Sequence, residues 1–244
     1  MPGKVYIVGA GPGDPDLITV KGLKLIEAAD VILYDRLIPR ELLSYAGSCT
    51  EFIYVGKERG RHSLTQDEIN RLMVELASRH DIIVRLKGGD PYIYGRGEEE
   101  CMYLIRSGVE CEVVPGVSSI YAVPAYSGIP LTNRWLSSSF AVVTGEEASG
   151  KRHPRIDLGR IAGSVDTLVI VMGAGRFSGI ISKLLSVLSG DTPIAVIMDG
   201  TTGRHRTIIS RLGEAEKYSS NVRPPAIIIL GEVVRLRDSL WRID

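Results

Sequence analysis

The chain has 244 residues, a formal net charge of zero, 44% hydrophobic residues and a mean hydropathy of +0.10. This length suits one large or two small domains with buried cores. The balanced charge argues against a protein dedicated to nucleic acid or membrane surfaces, and no apolar stretch reaches the roughly 18 residues that span a bilayer. With no signal peptide and three cysteines that lack metal-binding spacing, the chain is expected to be cytoplasmic and to bind no metal.

Short apolar runs rich in β-branched residues alternate with helical patterns along the whole chain. This alternation predicts an α/β fold, and continuous apolar runs are typical of strands whose two faces are both covered by helices. The predicted strands lie at residues 5–8, 31–34, 52–55, 82–86, 112–114, 140–143, 168–171, 194–197 and 226–230.

Two helices are marked by apolar residues at helical spacing. The first follows a capping box at residues 65–68 (TQDE) and continues to Leu76, and the second covers residues 177–188. A stretch rich in proline, glycine and serine separates two halves of similar size. We therefore predict two domains, at residues 1–116 and 117–244, with a linker helix near 118–137.

A glycine-rich turn, GAGPGD at residues 9–14, follows the first predicted strand. Asp14 stands where a dinucleotide-binding fingerprint requires its third glycine, and Pro12 lacks an amide donor. An acidic group and a missing donor disfavour pyrophosphate, so the turn is better suited to an uncharged nucleoside. A plain turn between a strand and a helix is the alternative.

Two later turns also follow predicted strands. In the first, RLKGGDP at residues 85–91, Asp90 could accept hydrogen bonds from a ribose or an amino group, or could be a turn residue before proline. In the second, PGVSS at residues 115–119, Ser118 and Ser119 could bind a ligand, although helix capping is favoured by the residues alone.

Charged residues also follow the second and third predicted strands. Asp35 and Lys57 could form an acid/base pair, but spacing alone favours a surface ion pair. Basic side chains near these turns could bind a polyanionic substrate, with scattered surface charge as the alternative. This basic set comprises Arg36, Lys57, Arg59, Arg61, His62, Lys87, Arg96 and Arg134.

In their order and spacing, these segments resemble the tetrapyrrole methylase family. The resemblance covers residues 8–14, 29–37, 55–57, 85–91, 95–97, 114–119 and 125–132, and it continues at 172–173, 192–193, 199–201, 225–226 and 231–234. The chain departs from the family at Glu146 and Asn133, positions where the family often has histidine. These departures affect the prediction of substrate details more than the prediction of the cofactor site.

The resemblance implies a homodimer in which each chain has two α/β domains with a cofactor cleft between them. The cofactor would be S-adenosylmethionine, leaving as S-adenosylhomocysteine, and Asp35 would be the proton acceptor and Lys57 the proton donor. The implied cofactor contacts are Pro12, Gly88, Gly89, Asp90, Ile93, Ser118, Ser119, Met172 and Gly200.

The implied reaction methylates uroporphyrinogen III at C2 and C7, giving precorrin-2 by way of precorrin-1, which feeds sirohaem and cobalamin synthesis. The nearest alternative is a precorrin methylase that acts at another ring carbon. A nicotinamide-dependent oxidoreductase is a further alternative, which Pro12 and Asp14 oppose, and a non-catalytic tetrapyrrole-binding module is another.

Overall fold

A computed structural model describes residues 2–56, 64–146 and 156–240. The chain divides into two compact units, Met1–Ser119 and Ile120–Asp244, whereas the sequence prediction placed the boundary between residues 116 and 117. Each unit holds one five-stranded sheet with helices, so the predicted α/β fold class is confirmed. Along the described parts of the chain, none of the helices has the length and apolar character that crossing a membrane requires.

The first unit is built on a wholly parallel sheet with the order β3-β2-β4-β1-β5. Its strands and helices are β1 (Lys4–Gly9), α1 (Val20–Ala28), β2 (Val31–Tyr34), β3 (Glu51–Tyr54), α2 (Gln66–Ala77), β4 (Ile82–Lys87), α3 (Gly97–Arg106) and β5 (Cys111–Val114). Because the strands are parallel, the segments that follow them share one edge, called here the first carboxyl edge.

Helix α2 begins where the sequence predicts. The Thr65 hydroxyl accepts a hydrogen bond from the Glu68 amide, and the Glu68 carboxylate accepts one from the Thr65 amide. This capping box satisfies two amides at the helix start, and Ile69 and Met73 on the apolar face are buried in the core of the unit.

The second unit holds a mixed sheet with the order β6-β7-β10-β8-β9. Strands β7 and β8 are both antiparallel to β10, so they run in the same direction as β6, and their carboxyl ends form a second carboxyl edge. The elements are α4 (Ser119–Tyr126), β6 (Phe140–Thr144), α5 (Leu158–Ala162), β7 (Thr167–Val171), α6 (Phe177–Leu185), β8 (Pro193–Met198), β9 (Arg206–Arg211), β10 (Ala226–Leu230) and α7 (Arg237–Leu240).

The sequence prediction missed β9. This strand lies at the edge of the sheet and pairs with β8 alone among the described strands. Arg206 and Arg211, at its two ends, are exposed to solvent. An edge strand with a solvated face carries polar residues, so it lacks the continuous apolar run used for the prediction. The predicted helix at 177–188 is also shorter than expected, since α6 ends at Leu185.

The structure also corrects the interpretation of the cysteines. Cys101 of α3 and Cys111 of β5 form a disulfide with a Cα–Cα distance of 5.6 Å, while Cys49 is free and exposed. The spacing of the cysteines does not predict this pair, because it forms only when α3 runs back beside β5. Disulfides are rare in reducing compartments, so the pair removes the support that the cysteine count gave to a cytoplasmic location.

The disulfide closes a short loop, with a sequence separation of 10. Loop-closure entropy predicts that Cys111→Ser lowers the free energy of unfolding by about 2–3 kcal/mol. Urea denaturation with and without a reductant measures this difference. Cys49→Ser is the matched control and should leave stability unchanged. Equal stability of Cys111→Ser and the oxidised parent would contradict the prediction.

Candidate functional site

The turns after β1, β4 and β5 are in close backbone contact at the first carboxyl edge. Gly11 and Gly89 form an isolated bridge, in which the Gly89 amide donates to the Gly11 carbonyl at 2.7 Å. A Cβ at Gly9 would lie 2.6 Å from the Gly116 Cα and 2.6 Å from the Gly89 oxygen. Only glycine allows three turns to approach so closely. The turn at residues 9–14 is therefore joined to the other two turns singled out in the sequence.

Gly89 also faces open space. Its φ is +67°, and a Cβ built on it would meet no atom within 4 Å. Its backbone can therefore come close to a ligand, which is the usual reason for glycine in such a loop. Pro12 is half-buried, and Ile93 has an exposed side chain on the same edge. Gly88 lies against the loop after β2, since its Cβ would stand 3.2 Å from the Leu37 Cβ.

Asp90 links two of these turns. Its Oδ1 accepts a hydrogen bond from the Tyr92 amide at 2.8 Å, and its Oδ2 accepts one from the Gly116 amide at 3.0 Å. Each carboxylate oxygen can accept a further hydrogen bond, so this structural role leaves capacity for a ligand. Nearby, Ser118 is buried and Ser119 is the first residue of α4.

Asp35 lies at the carboxyl end of β2, where it belongs to a buried charge cluster made up of Asp35, Arg85, Lys87 and Glu100. The Arg85 Nη2 donates to both Asp35 oxygens at 2.8 and 2.9 Å, and the Arg85 Nε donates to the Glu100 Oε1 at 3.3 Å. Lys87 Nζ donates to the same Glu100 oxygen at 2.8 Å. Arg85, Lys87 and Glu100 have side-chain exposures of 2%, 6% and 0%, and that of Asp35 is 29%.

The two cations of the cluster respond differently to burial. Burial lowers the pKa of Lys87, and the nearby Arg85 guanidinium lowers it further. Burial also disfavours the charged Arg85, but the carboxylates of Glu100 and Asp35 outweigh it and raise the pKa of Arg85. An arginine held between two carboxylates stays charged, so it can orient both of them.

Asp35 has a charged partner that was not predicted from the sequence. Its ion pair in the structure is with Arg85, and Lys57 lies outside the described residues. Glu100 was not among the predicted site residues, although it lies in the acidic first turn of α3. The helical period could have revealed its burial, because Gly97, Glu100, Cys101 and Leu104 form the buried face of α3.

The described members of the predicted basic set differ in their exposure and partners. Lys87 is buried and bonded to Glu100, so its assignment as a contact for a polyanion is wrong. Arg96 makes two hydrogen bonds with the Glu99 carboxylate, while Arg36 and Arg134 are exposed. The remaining members, Lys57, Arg59, Arg61 and His62, lie outside the described residues.

At the second carboxyl edge, strained backbone marks two predicted cofactor residues. Met172 follows β7 with a φ of 54°, and Gly200 follows β8 between Asp199 and Thr201, whose φ values are 47° and 64°. Positive φ is uncommon in residues other than glycine, and such strain concentrates at ligand sites. Packing also requires Gly200 to be glycine, because its Cβ would stand 2.4 Å from a Val123 methyl.

The two departures from the family pattern have local roles. Asn133 Oδ1 accepts hydrogen bonds from the amides of Trp135 and Leu136, so it stabilises the turn before β6. Glu146, after β6, lies 3.4 Å from the Arg176 guanidinium in an exposed ion pair. Within the described ranges, no group of three or more histidine, cysteine or acidic side chains could hold a metal ion.

The chain belongs to the tetrapyrrole (corrin/porphyrin) methylase family, whose model matches residues 4–216. The family predicted from the sequence is thus confirmed. The uroporphyrinogen-III C-methyltransferase of Methanocaldococcus jannaschii is 49% identical to the chain, over 98% of the chain and 100% of that relative.

Two solved structures extend the comparison. The uroporphyrin-III C-methyl transferase from Thermus thermophilus, complexed with S-adenyl homocysteine, is 44% identical with a TM-score of 0.82, covering 96% of this chain and 100% of that one. A cobalt precorrin-4 methyltransferase has a TM-score of 0.84 but only 30% identity, covering 95% of each chain. The fold alone therefore does not separate these two activities.

Proposed function

We propose that this protein methylates uroporphyrinogen III at C2 and C7 with S-adenosylmethionine, giving precorrin-2 by way of precorrin-1. The observation that carries the proposal is 49% identity, over 98% of the chain, to a relative named uroporphyrinogen-III C-methyltransferase. The cobalt precorrin-4 methyltransferase superposes as well as the Thermus enzyme but is less similar in sequence. Sequence rather than fold therefore favours uroporphyrinogen III over a precorrin as the substrate.

The described residues fit the proposed methyl donor, which supplies a methyl group on a positively charged sulfur. In the first unit, the donor-binding residues are Pro12, Gly88, Gly89, Asp90, Ile93, Ser118 and Ser119, and in the second they are Met172 and Gly200. The open space at Gly89 supports this assignment, as does the strained backbone at Met172 and beside Gly200. Methyl transfer depends mainly on holding two reactants in line, which rigid turns of this kind provide.

The chemistry assigned to the protein is proton transfer. A pyrrole carbon of the substrate is an electron-rich nucleophile, and after it gains a methyl group a proton must leave the ring system. Asp35 is the proposed acceptor, because its carboxylate lies at the first carboxyl edge and is partly exposed. Lys57 is the proposed proton donor on the family resemblance, and it lies outside the described residues. Arg36 and Arg134 are exposed and are the described members of the basic set that remain available for substrate carboxylates.

Glycine substitutions test the cofactor site. Gly89→Ala places a methyl group in space that the protein does not fill, so it is expected to weaken S-adenosylhomocysteine binding at least about tenfold, as calorimetry would measure. Gly108→Ala is the matched control, because Gly108 has a φ of +77° and equally open surroundings. Both changes strain the backbone by about 1–2 kcal/mol. Equal affinities in the two variants would exclude Gly89 from the binding site.

Substrate choice is tested by comparing kcat/KM for uroporphyrinogen III and cobalt-precorrin-4 with the same preparation. The proposal predicts the larger value for uroporphyrinogen III, and the opposite ranking would replace it with the precorrin alternative. A reaction without the protein serves as the blank, because the porphyrinogen oxidises spontaneously.

The assembly, location and pathway belong to the same proposal. The chain forms a homodimer in the cytoplasm, and its product feeds sirohaem and cobalamin synthesis. These statements are supported by the family resemblance, while the disulfide between Cys101 and Cys111 speaks against a reducing location. Light scattering on the purified protein measures the oligomeric state, and a monomeric mass would overturn the dimer.

A further inference from the structure

Arg85 holds the Asp35 carboxylate in one orientation. A single guanidinium nitrogen, Nη2, donates to both carboxylate oxygens, at 2.8 and 2.9 Å. Hydrogen bonds between charged groups are short and strong, and their directions fix the acceptor. Rotation of the Asp35 side chain would break at least one of these two bonds.

The Arg85 side chain is itself fixed. Its Nε donates to the Glu100 Oε1 at 3.3 Å, and its Nη1 donates to the Leu86 carbonyl at 3.3 Å. It is also fully enclosed, because its side chain has an exposure of 2%. A cation buried so deeply needs charged partners, and Asp35 and Glu100 supply them from two different elements.

The backbone supports the same geometry. Arg85 lies on β4 directly opposite Leu33 of β2, and Asp35 directly follows the last residue of β2, two residues after Leu33. Glu100 lies in the first turn of α3, where Lys87 and Gln66 also donate to its Oε1. The Asp35 carboxylate is therefore oriented by a strand and a helix of the unit rather than by a mobile surface residue.

We propose that Arg85 is a positioning residue for methylation, which orients Asp35 to accept the substrate proton, and that Glu100 anchors Arg85 in this task. The inference rests on the proposed function, since it assumes that Asp35 accepts the proton. Arg85 acts through Asp35 and is not assigned any contact with substrate or cofactor. Its contribution is the preorganisation of one carboxylate.

A double-mutant cycle with Asp35→Asn and Arg85→Gln tests the proposal. Arg85→Gln should lower kcat roughly 10–100-fold and leave the affinity for S-adenosylhomocysteine unchanged. The double variant should be no slower than Asp35→Asn alone, because a positioning residue has nothing to position once the acceptor is gone. Arg85→Lys should recover part of the rate, since it keeps a charged donor.

The matched control is Arg79→Gln. Arg79 forms an exposed ion pair with Glu75 in the same unit, so its loss should leave kcat unchanged. Thermal melting of each variant shows whether it is folded. If Arg85→Gln does not fold, a variant that combines Arg85→Gln with Glu100→Gln replaces it in the cycle. This variant removes one positive and one negative charge together, so neither charge is left unpaired in the core.

Two results would overturn the inference: losses that multiply in the double variant, or a folded Arg85 variant with unchanged kcat. The cycle is measured on whichever tetrapyrrole the parent protein methylates, so a wrong substrate assignment does not affect its outcome. A parent protein that methylates no tetrapyrrole would instead overturn the proposed function, and this inference with it.

Discussion

Asp35→Asn is expected to lower kcat about 100- to 10,000-fold, the usual contribution of a positioned proton acceptor. Asparagine has almost the same shape, and its Oδ1 can still accept a hydrogen bond from Arg85, but its amide cannot take up a proton. The affinity for S-adenosylhomocysteine should change little, because Asp35 is not among the proposed donor contacts. Single-turnover kinetics and calorimetry together separate the two effects.

The control for this variant is Asp81→Asn. Asp81 is exposed and directly precedes β4, so it lies at the amino edge of the same sheet, opposite Asp35. Its replacement should leave kcat within a factor of about two. Unchanged kcat in Asp35→Asn would remove Asp35 as the proton acceptor. Absence of any turnover by the parent protein would instead favour the non-catalytic tetrapyrrole-binding module.

Glu100→Ala is expected to lower the free energy of unfolding by about 3–5 kcal/mol. Its carboxylate is fully buried and is shared by Arg85 and Lys87. Removing it leaves two buried cations with one partly exposed carboxylate, Asp35, and burying an unpaired charge is among the most destabilising changes in a protein. Urea denaturation of the purified variant measures the loss.

Glu98→Ala is the matched control, because Glu98 lies in the same helical turn but is exposed. The Glu98→Ala variant loses a similar interaction with the helix dipole, so its free energy of unfolding should change by no more than about 1 kcal/mol. Similar losses in the two variants would show that the helix terminus, and not the buried charge cluster, accounts for the effect.

The stability deficit of Glu100→Ala should also depend on pH. Burial and the Arg85 charge lower the pKa of Lys87 from the ordinary 10.5. Because the Glu100 carboxylate raises the pKa of Lys87, this pKa is lower still in Glu100→Ala. Between the Lys87 pKa of the variant and that of the parent, only the folded variant has released a proton that its unfolded chain still holds, so the stability of the variant rises with pH and the deficit shrinks. Above the parent's Lys87 pKa both proteins gain stability alike, and a deficit that grows as pH increases would contradict the pairing of Lys87 with Glu100.

The sequence predicted the strands well where they are buried. The runs at residues 31–34 and 226–230 match β2 and β10, because central strands covered on both faces are continuously apolar. It failed at β9, whose edge position tolerates polar residues. Apolar patterning therefore finds strands by their burial and not by their hydrogen bonding.

The candidate site could be predicted in part. The glycine turns were recognisable, because close backbone approach excludes other residues, and the structure joins Gly9, Gly89 and Gly116. The buried charge cluster was not recognisable, because the burial of Glu100 becomes apparent only when α3 is placed against the sheet. Likewise, pairing of Asp35 with Arg85 depends on the β2–β4 register, which spacing along the chain does not reveal.

The most direct test of the proposed function is to incubate the purified protein with uroporphyrinogen III and S-adenosylmethionine carrying a ¹³C-labelled methyl group. The proposal predicts a product with two added methyl groups, located by NMR at C2 and C7. The proposal would be contradicted if uroporphyrinogen III gained no methyl group while a precorrin, supplied in a parallel incubation under the same conditions, was methylated.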